Sequence, residues 1–322
     1  MQGGLYPIQA DAGSEWNSPL TGSDYDPDDR YFEALREPFG DRGIVLRIGP
    51  LRLRLEGLSA PQEVTLARRF RPFVIAPEAV GGREDDLVVS LRQAAVDRFL
   101  NLRPGRSETY RMRRRFTGGR MVLWSYEFAG WIETERRLAM LAIVQPEGDL
   151  FERGLENFLR VMTARFILDR GGLLVHAAGI VRRGAAYVFL GPSGSGKTTI
   201  TRLSPRDTIL SDDLTLLVRA EGEGYQAAGL PFGMAHHTVP QTSAAYPIVS
   251  LNRLVQSSEV GVERVERGQA LAELGAHLPF VMQDAQNASR ALATAARVLD
   301  SIPLQRLRFR RDDSFWSVVE VR

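Results

Sequence analysis

No cysteine occurs among the 322 residues. That excludes disulfides, thiolate metal sites and a cysteine nucleophile, and it leaves the redox compartment unspecified. Lysine is almost absent as well: of 41 Lys and Arg residues only Lys197 is Lys. Neither sign of charge is in large excess: 41 Lys and Arg against 39 Asp and Glu give a formal net charge of +2, too small for bulk attraction to nucleic acid or a membrane surface. The longest clean apolar run, residues 138–144, falls far short of the roughly 20 residues a spanning helix needs. No basic stretch followed by an apolar one opens the sequence, so no signal peptide is expected and a cytoplasmic location is the default. Apolar residues make up 44% and charged residues 25%, ordinary values for a globular chain whose length favours about two domains.

What is present gathers around one stretch, Gly191-Pro192-Ser193-Gly194-Ser195-Gly196-Lys197-Thr198-Thr199. It fits the G-x-x-x-x-G-K-[ST] pattern of a phosphate-binding loop. Residues 185–190 read as a short buried strand leading into it, and residues 198–203 as a helix start, stopped before Pro205. Strand, glycine-rich loop and helix N-terminus together expose unpaired backbone N–H groups to an anion. Gly191, Gly194 and Gly196 let the backbone approach phosphates and take positive φ. Lys197 is placed to reach the β- and γ-phosphates, and the Thr198 hydroxyl to ligate Mg²⁺. Arginine has replaced lysine everywhere except where a compact, flexible ammonium is needed.

The remainder reads as three parts. Residues 1–30 are acidic and rich in Gly, Pro, Ser and Asn, which predicts a mobile arm. Residues 31–150 are β-rich: alternating strands at 43–58 broken by Gly49-Pro50, strands near 73–75 and 87–91, a hairpin of 109–116 with 120–128 across Thr117-Gly118-Gly119, and a strand at 138–144. Arg111, Arg113 and Arg115 share one face of that hairpin by alternation, with Arg114 and Arg120 nearby. They suit either a solvated sheet face or a surface for an acidic partner. Residues 151–169 change to helical spacing and end at Gly171-Gly172, which sets a domain boundary near 150. In 151–322, strands are expected at 173–181, 208–213, 214–218, 225–230 and 248–256, helices at 270–278 and 285–299, and a closing hairpin of 303–309 with 315–321.

Two candidates for chemistry stand close to the loop in sequence. Asp212 and Asp213 end an apolar strand soon after Lys197, where a Mg²⁺-holding carboxylate is expected. Neighbours on a regular strand point to opposite faces, so one of them faces a metal, Asp213 in preference, and a local bend is needed to turn the other inward as a base. His176 lies on the apolar strand before the loop, either as a core histidine or as an acid–base group. His236-His237 read as a surface loop, since adjacent histidines without further ligands rarely form a metal site.

The combination of Leu174-Val175-His176-Ala177-Ala178-Gly179, the 191–199 loop and Ser211-Asp212-Asp213 resembles the kinase domain of HPr kinase/phosphorylase. It is also similar to the P-loop of ATP-dependent phosphoenolpyruvate carboxykinase. Leu230-Pro231-Phe232-Gly233 and the closing P-L-x-x-L-x-F…F-W element look like HPr-kinase-related proteins found beside peptide-modification clusters. The resemblance covers roughly residues 151–322. Met234-Ala235-His236-His237 departs from it, and the arginine-bearing signature loop of HPr kinases is not evident.

The resemblance implies an α/β fold, with a P-loop core on a mixed sheet behind a β-rich N-terminal recognition domain. It implies an ATP- and Mg²⁺-dependent kinase acting on a serine or threonine hydroxyl of a protein or peptide. In that reading Gly191 through Thr199 bind ATP phosphates and Thr198 with one of Asp212 and Asp213 holds Mg²⁺. The other aspartate serves as base with His176 near it. The alternatives are a small-molecule kinase and a nucleotide-binding regulator without transfer. The partner expected is a protein or peptide acceptor, acidic if the arginine hairpin receives it, with neither nucleic acid nor membrane involved and with room for an oligomer.

Overall fold

Residues 24–76, 87–101, 112–232 and 242–320 are described by the computed structural model. The chain is mixed α/β and divides into two units, each carrying, among these described residues, an eight-stranded sheet of parallel and antiparallel pairs. Met1–Arg47 with Leu51–Met162 form the first unit, and Ile48–Pro50 with Thr163–Arg322 the second.

In the first unit α1 (Asp29–Ala34) starts at Asp28, whose carboxylate accepts from the Tyr31 N–H at 2.9 Å. β1 (Arg42–Ile48) and β2 (Leu51–Leu58) follow. Leu51, Leu53 and Leu55 are buried while the arginines between them are half-buried, the period-2 pattern of a sheet with one inner face. α2 (Ala60–Arg69) opens with a reciprocal capping box between Ser59 and Gln62. β3 (Val74–Ile75), β4 (Leu87–Gln93), β5 (Met112–Thr117), β6 (Arg120–Ser125), β7 (Phe128–Glu133) and β8 (Leu138–Ile143) complete the sheet, in the order β3-β1-β2-β4-β8-β7-β6-β5. β4 runs parallel to β2 and β8, and β5 to β8 form an antiparallel meander. Gly118 and Gly119, at φ +53° and +79°, make the two-residue turn between β5 and β6.

The strand expected over 120–128 ends at Ser125, and a further strand begins at Phe128. The Ser125 hydroxyl donates to Glu127 at 2.9 Å, Arg153 donates to the same carboxylate at 3.0 Å, and this buried polar knot turns the chain between β6 and β7. The arginine hairpin is also less free than alternation suggests. Arg111 lies outside the described residues, and Arg113 is buried. Arg115 donates to Asp26 at 2.6 Å and to the Pro27 carbonyl at 2.8 Å, and Arg120 pairs with Glu133 while lying over Trp131. The end of the acidic arm is correspondingly held: Asp24 accepts from the Asn101 N–H at 2.7 Å, and the Tyr25 ring packs edge-on against Tyr31.

α3 (Gly148–Asp169) contains the division between the units. The expected boundary near 150 falls at its start, yet its first turns belong to the first unit because Phe151 packs on Phe39 and Phe158 on Phe128. Gly171, at φ +69°, ends the helix, with the Gly172 N–H returning to the Ile167 carbonyl at 2.9 Å.

The second unit contains β9 (Leu173–Arg182), β10 (Ala185–Leu190), α4 (Lys197–Arg202), β11 (Thr208–Ser211), β12 (Leu214–Arg219) and β13 (Tyr225–Ala228). β14 (Ala245–Gln256), β15 (Gly261–Arg264), α5 (Arg267–Gly275), α6 (Ala285–Ser301), β16 (Leu304–Phe309) and α7 (Trp316–Val319) follow. β9 takes β10 on one edge and β11 and β12 on the other. β14 pairs with β13 by its first residues, then runs parallel to β10 and to β16.

The closing hairpin expected across Asp312-Asp313 does not form. β16 pairs instead with β14 and β15, and residues 313–319 turn through a 3-10 stretch into α7. Phe315, Trp316 and Val319 are the buried positions, a helical spacing, and Asp312 caps the turn by accepting from the Ser314 N–H. These side chains join Tyr187, Phe189, Ile200 and Phe309 in one apolar cluster. No helix among the described residues is long and apolar enough to cross a membrane.

Candidate functional site

β10 is buried along Ala186–Leu190 and delivers the chain into the glycine-rich loop of residues 191–196. Each glycine there has a steric reason. A Cβ on Gly191 would lie 2.2 Å from the Ser195 hydroxyl oxygen. Gly194 and Gly196 hold φ of +78° and +110°, and a Cβ on Gly196 would also lie 2.5 Å from the Phe309 ring. The apolar cluster at the C-terminal end of the chain therefore presses directly on the loop. Pro192, Ser193 and Gly194 form an exposed crest, and Thr198 is exposed on the first turn of α4.

Lys197 folds back beneath that crest. Its side chain is buried, and Nζ donates to the carbonyls of Gly191 at 2.6 Å and Pro192 at 3.2 Å. Burial pushes the Lys197 pKa down; the negative charge of Asp213 opposes that, and Arg253 adds to it. The Ser195 hydroxyl is buried with no hydrogen-bond partner among the described residues. Gln256, at the end of β14, donates from Nε2 to the Gly194 carbonyl at 2.8 Å and steadies the loop.

The two aspartates lie in a bend between β11 and β12. The Ser211 hydroxyl makes the bend, accepting from the N–H groups of Asp213 at 3.1 Å and Leu214 at 2.9 Å. The strict alternation of a strand is thereby broken, and both carboxylates act on the charge of Lys197. Burial, then the neighbouring Asp213 carboxylate, raises the Asp212 pKa. His176 stands on β9, paired in register with Leu214, and its Nε2 lies 3.1 Å from Asp213 Oδ1.

Residues that sequence reasoning passed over complete the surroundings. The His277 carbonyl accepts from the His176 N–H at 2.8 Å, and the two imidazoles lie 6.5 Å apart. His277 Nδ1 is 2.7 Å from the Glu273 carbonyl, and burial lowers its pKa. Arg253 lies on β14 opposite Leu190. A histidine just after a helix and an arginine on a sheet strand carry no sequence signal; the backbone bond from His176 and the β10–β14 register bring them here. Pro231 and Phe232 are buried, whereas Gly233 and Met234 through His237 lie outside the described residues.

Lys197, Asp212, Asp213 and His176 thus belong to one neighbourhood beside the loop. Among the described residues no three His, Asp or Glu side chains cluster as a self-sufficient metal cage. Exposed Thr198 and the two carboxylates are hard oxygen donors of the kind that hold Mg²⁺ jointly with a ligand's phosphates.

A family model described as ScmC, SynChlorMet cassette protein ScmC, matches residues 157–321, half of the sequence, and the chain belongs to that family. No curated protein matches it.

Proposed function

We propose that this member of the ScmC family is an ATP-dependent kinase of the HPr-kinase-like P-loop type, transferring the γ-phosphate to a serine or threonine hydroxyl of a protein or peptide. The observation that carries the reading is the placement of the only lysine. Lys197 is buried under the glycine-rich crest, tied to the Gly191 and Pro192 carbonyls, and lies within the field of two carboxylates from one bend.

Roles follow from the local chemistry. Loop N–H groups and Lys197 bind and orient the phosphate chain. Asp213, fixed by His176, and the Thr198 hydroxyl are the residues that would hold Mg²⁺, which when bound neutralises phosphate charge. Asp212 is the better base, because burial and its charged neighbour raise its proton affinity. It accepts the acceptor hydroxyl's proton as the oxygen attacks the γ-phosphorus and the bond to the β,γ-bridging oxygen breaks, releasing ADP.

The family's description as a cassette protein makes the products of neighbouring genes the first acceptors to test. Wild-type protein given γ-labelled ATP and Mg²⁺ should label a hydroxyl residue of one of them. Asp212→Asn should lower that rate by roughly 10²–10⁴-fold with Mg·ATP affinity retained, and Asp213→Asn should weaken Mg·ATP binding. Wild-type transfer rates in both variants would contradict the assignment.

A further inference from the structure

Resting on the phosphate-site reading of residues 191–199, we propose that Arg253 contacts the third phosphate, so that this site takes a nucleoside triphosphate in preference to the diphosphate. The parallel register of β14 and β10 sets Arg253 beside Leu190, the last residue before the loop. Its guanidinium is close enough that a Cβ on Gly191 would lie 3.3 Å from Nη1. Three residues further along, Gln256 touches Gly194. β14 therefore follows the loop from its first glycine to its crest.

The end of the loop at which Arg253 stands decides which phosphate it meets. Lys197 Nζ bonds to the same residue, Gly191, at 2.6 Å. In phosphate-binding loops the lysine reaches the β- and γ-phosphates while backbone N–H groups cradle the α- and β-phosphates. A second cation on the lysine side of the loop meets the terminal phosphate. Its planar fork can take two phosphate oxygens at once, which an ammonium cannot.

Arg253 is also incompletely used by the protein itself. Nη1 donates to the Leu254 carbonyl at 2.8 Å. Its carboxylate neighbour is Glu273, with Nε 4.0 Å from Oε2, beyond hydrogen-bond reach. That Oε2 is buried and accepts no hydrogen bond from the described residues. The Arg253 side chain is 24% exposed. A cation loosely paired beside a second cation is stabilised by an arriving polyanion.

Calorimetric titration of a non-hydrolysable ATP analogue and of ADP, each with Mg²⁺, tests this on wild type, Arg253→Gln, Arg253→Lys and Lys197→Ala. Arg253→Gln should weaken the triphosphate roughly tenfold or more, leave ADP within about twofold, and keep the wild-type melting temperature within a few degrees. Arg253→Lys should recover part of the loss by keeping the charge. Equal weakening of both nucleotides, or of neither, overturns the proposal, since a residue that merely braces Gly191 would not separate them. If Arg253→Gln melts early, the Arg253→Lys ratio of triphosphate to diphosphate affinity decides alone: a ratio equal to wild type rejects the contact. Lys197→Ala separates the two levels of the argument. If it binds both nucleotides like wild type, the phosphate-site reading itself fails.

Discussion

His176 Nε2 stands 3.1 Å from Asp213 Oδ1, a link between β9 and the bend after β11. It engages one oxygen of Asp213 and so distinguishes it from the adjacent Asp212. His176→Gln keeps a side chain able to donate to Asp213, whereas His176→Ala does not. The account expects His176→Ala to weaken Mg·ATP binding and His176→Gln to retain more of it, read by titration of Mg²⁺ at fixed ATP. Equal affinities in the two variants would place His176 outside the metal-side chemistry.

Asp212 makes a prediction about stability. Its folded-state pKa is raised, so its contribution is present below the ordinary carboxylate value and is lost as pH rises through the raised one. At neutral pH the charged form is therefore a cost, and Asp212→Asn should raise the melting temperature there. The gain should shrink as pH falls through the same window. Each 1 kcal/mol would appear as roughly 2–4 °C for a unit of this size. A melting temperature that is unchanged or lower at pH 7 would contradict the burial argument.

Gly196 is held both by its φ of +110° and by Phe309. Gly196→Ala should destabilise the second unit by about 1–3 kcal/mol in denaturant unfolding. Adding Phe309→Leu should relieve the clash but not the backbone strain, giving partial rescue at most in ligand binding. Full rescue by Phe309→Leu would show that backbone conformation contributes nothing.

Trp316 binds the C-terminal turn to the unit through packing on Tyr187 and Phe189, an indole N–H to the Ser204 hydroxyl at 3.1 Å, and Arg182 over its face. Trp316→Ala should cost about 3–5 kcal/mol. Trp316→Phe, which loses chiefly the hydrogen bond, should cost less. Similar costs for the two would mean that the indole N–H, not the packing, holds the turn.

Arg115 ties Asp26 and Pro27 to the hairpin. Arg115→Ala should speed cleavage by an Asp-specific protease within residues 24–29, while the β1–β8 sheet stays intact. Unaltered cleavage would assign the segment's anchoring to Tyr25 and Asp24 instead.

Much of this was legible in the sequence where one local pattern decides. The loop with its flanking strand, the α3 periodicity, the Gly118-Gly119 turn and α6 all rest on residues within one element. The acidic bend was legible too, as the condition that Asp212 and Asp213 need a break in alternation; Ser211 supplies it. α2 was missed although Ser59-Ala60-Pro61-Gln62 carries both a capping box and an early proline. β7 was hidden because nothing local marks Ser125 and Glu127 as a turn; the buried bonds of Glu127 to Ser125 and Arg153 make it one. The C-terminal hairpin failed because Phe315 and Trp316 are adjacent and both buried, which a helix on an apolar cluster permits and a one-sided strand does not. Arg253 reaches the site through the β10–β14 pairing, and His277, just after α5, through the backbone bond from His176; no spacing rule encodes either long-range contact.

The central claim is that residues 191–199 hold the phosphates of ATP, and the single lysine allows it to be read at one atom. Acylation of the native protein with a lysine-selective reagent, followed by peptide mass analysis, reports the Lys197 ammonium apart from every other side chain. Its lowered pKa favours the reactive neutral form. The account predicts that Mg·ATP and Mg·ADP protect Lys197 in a saturable manner and that adenosine does not. Labelling of Lys197 at the same rate with and without saturating Mg·ATP would contradict it.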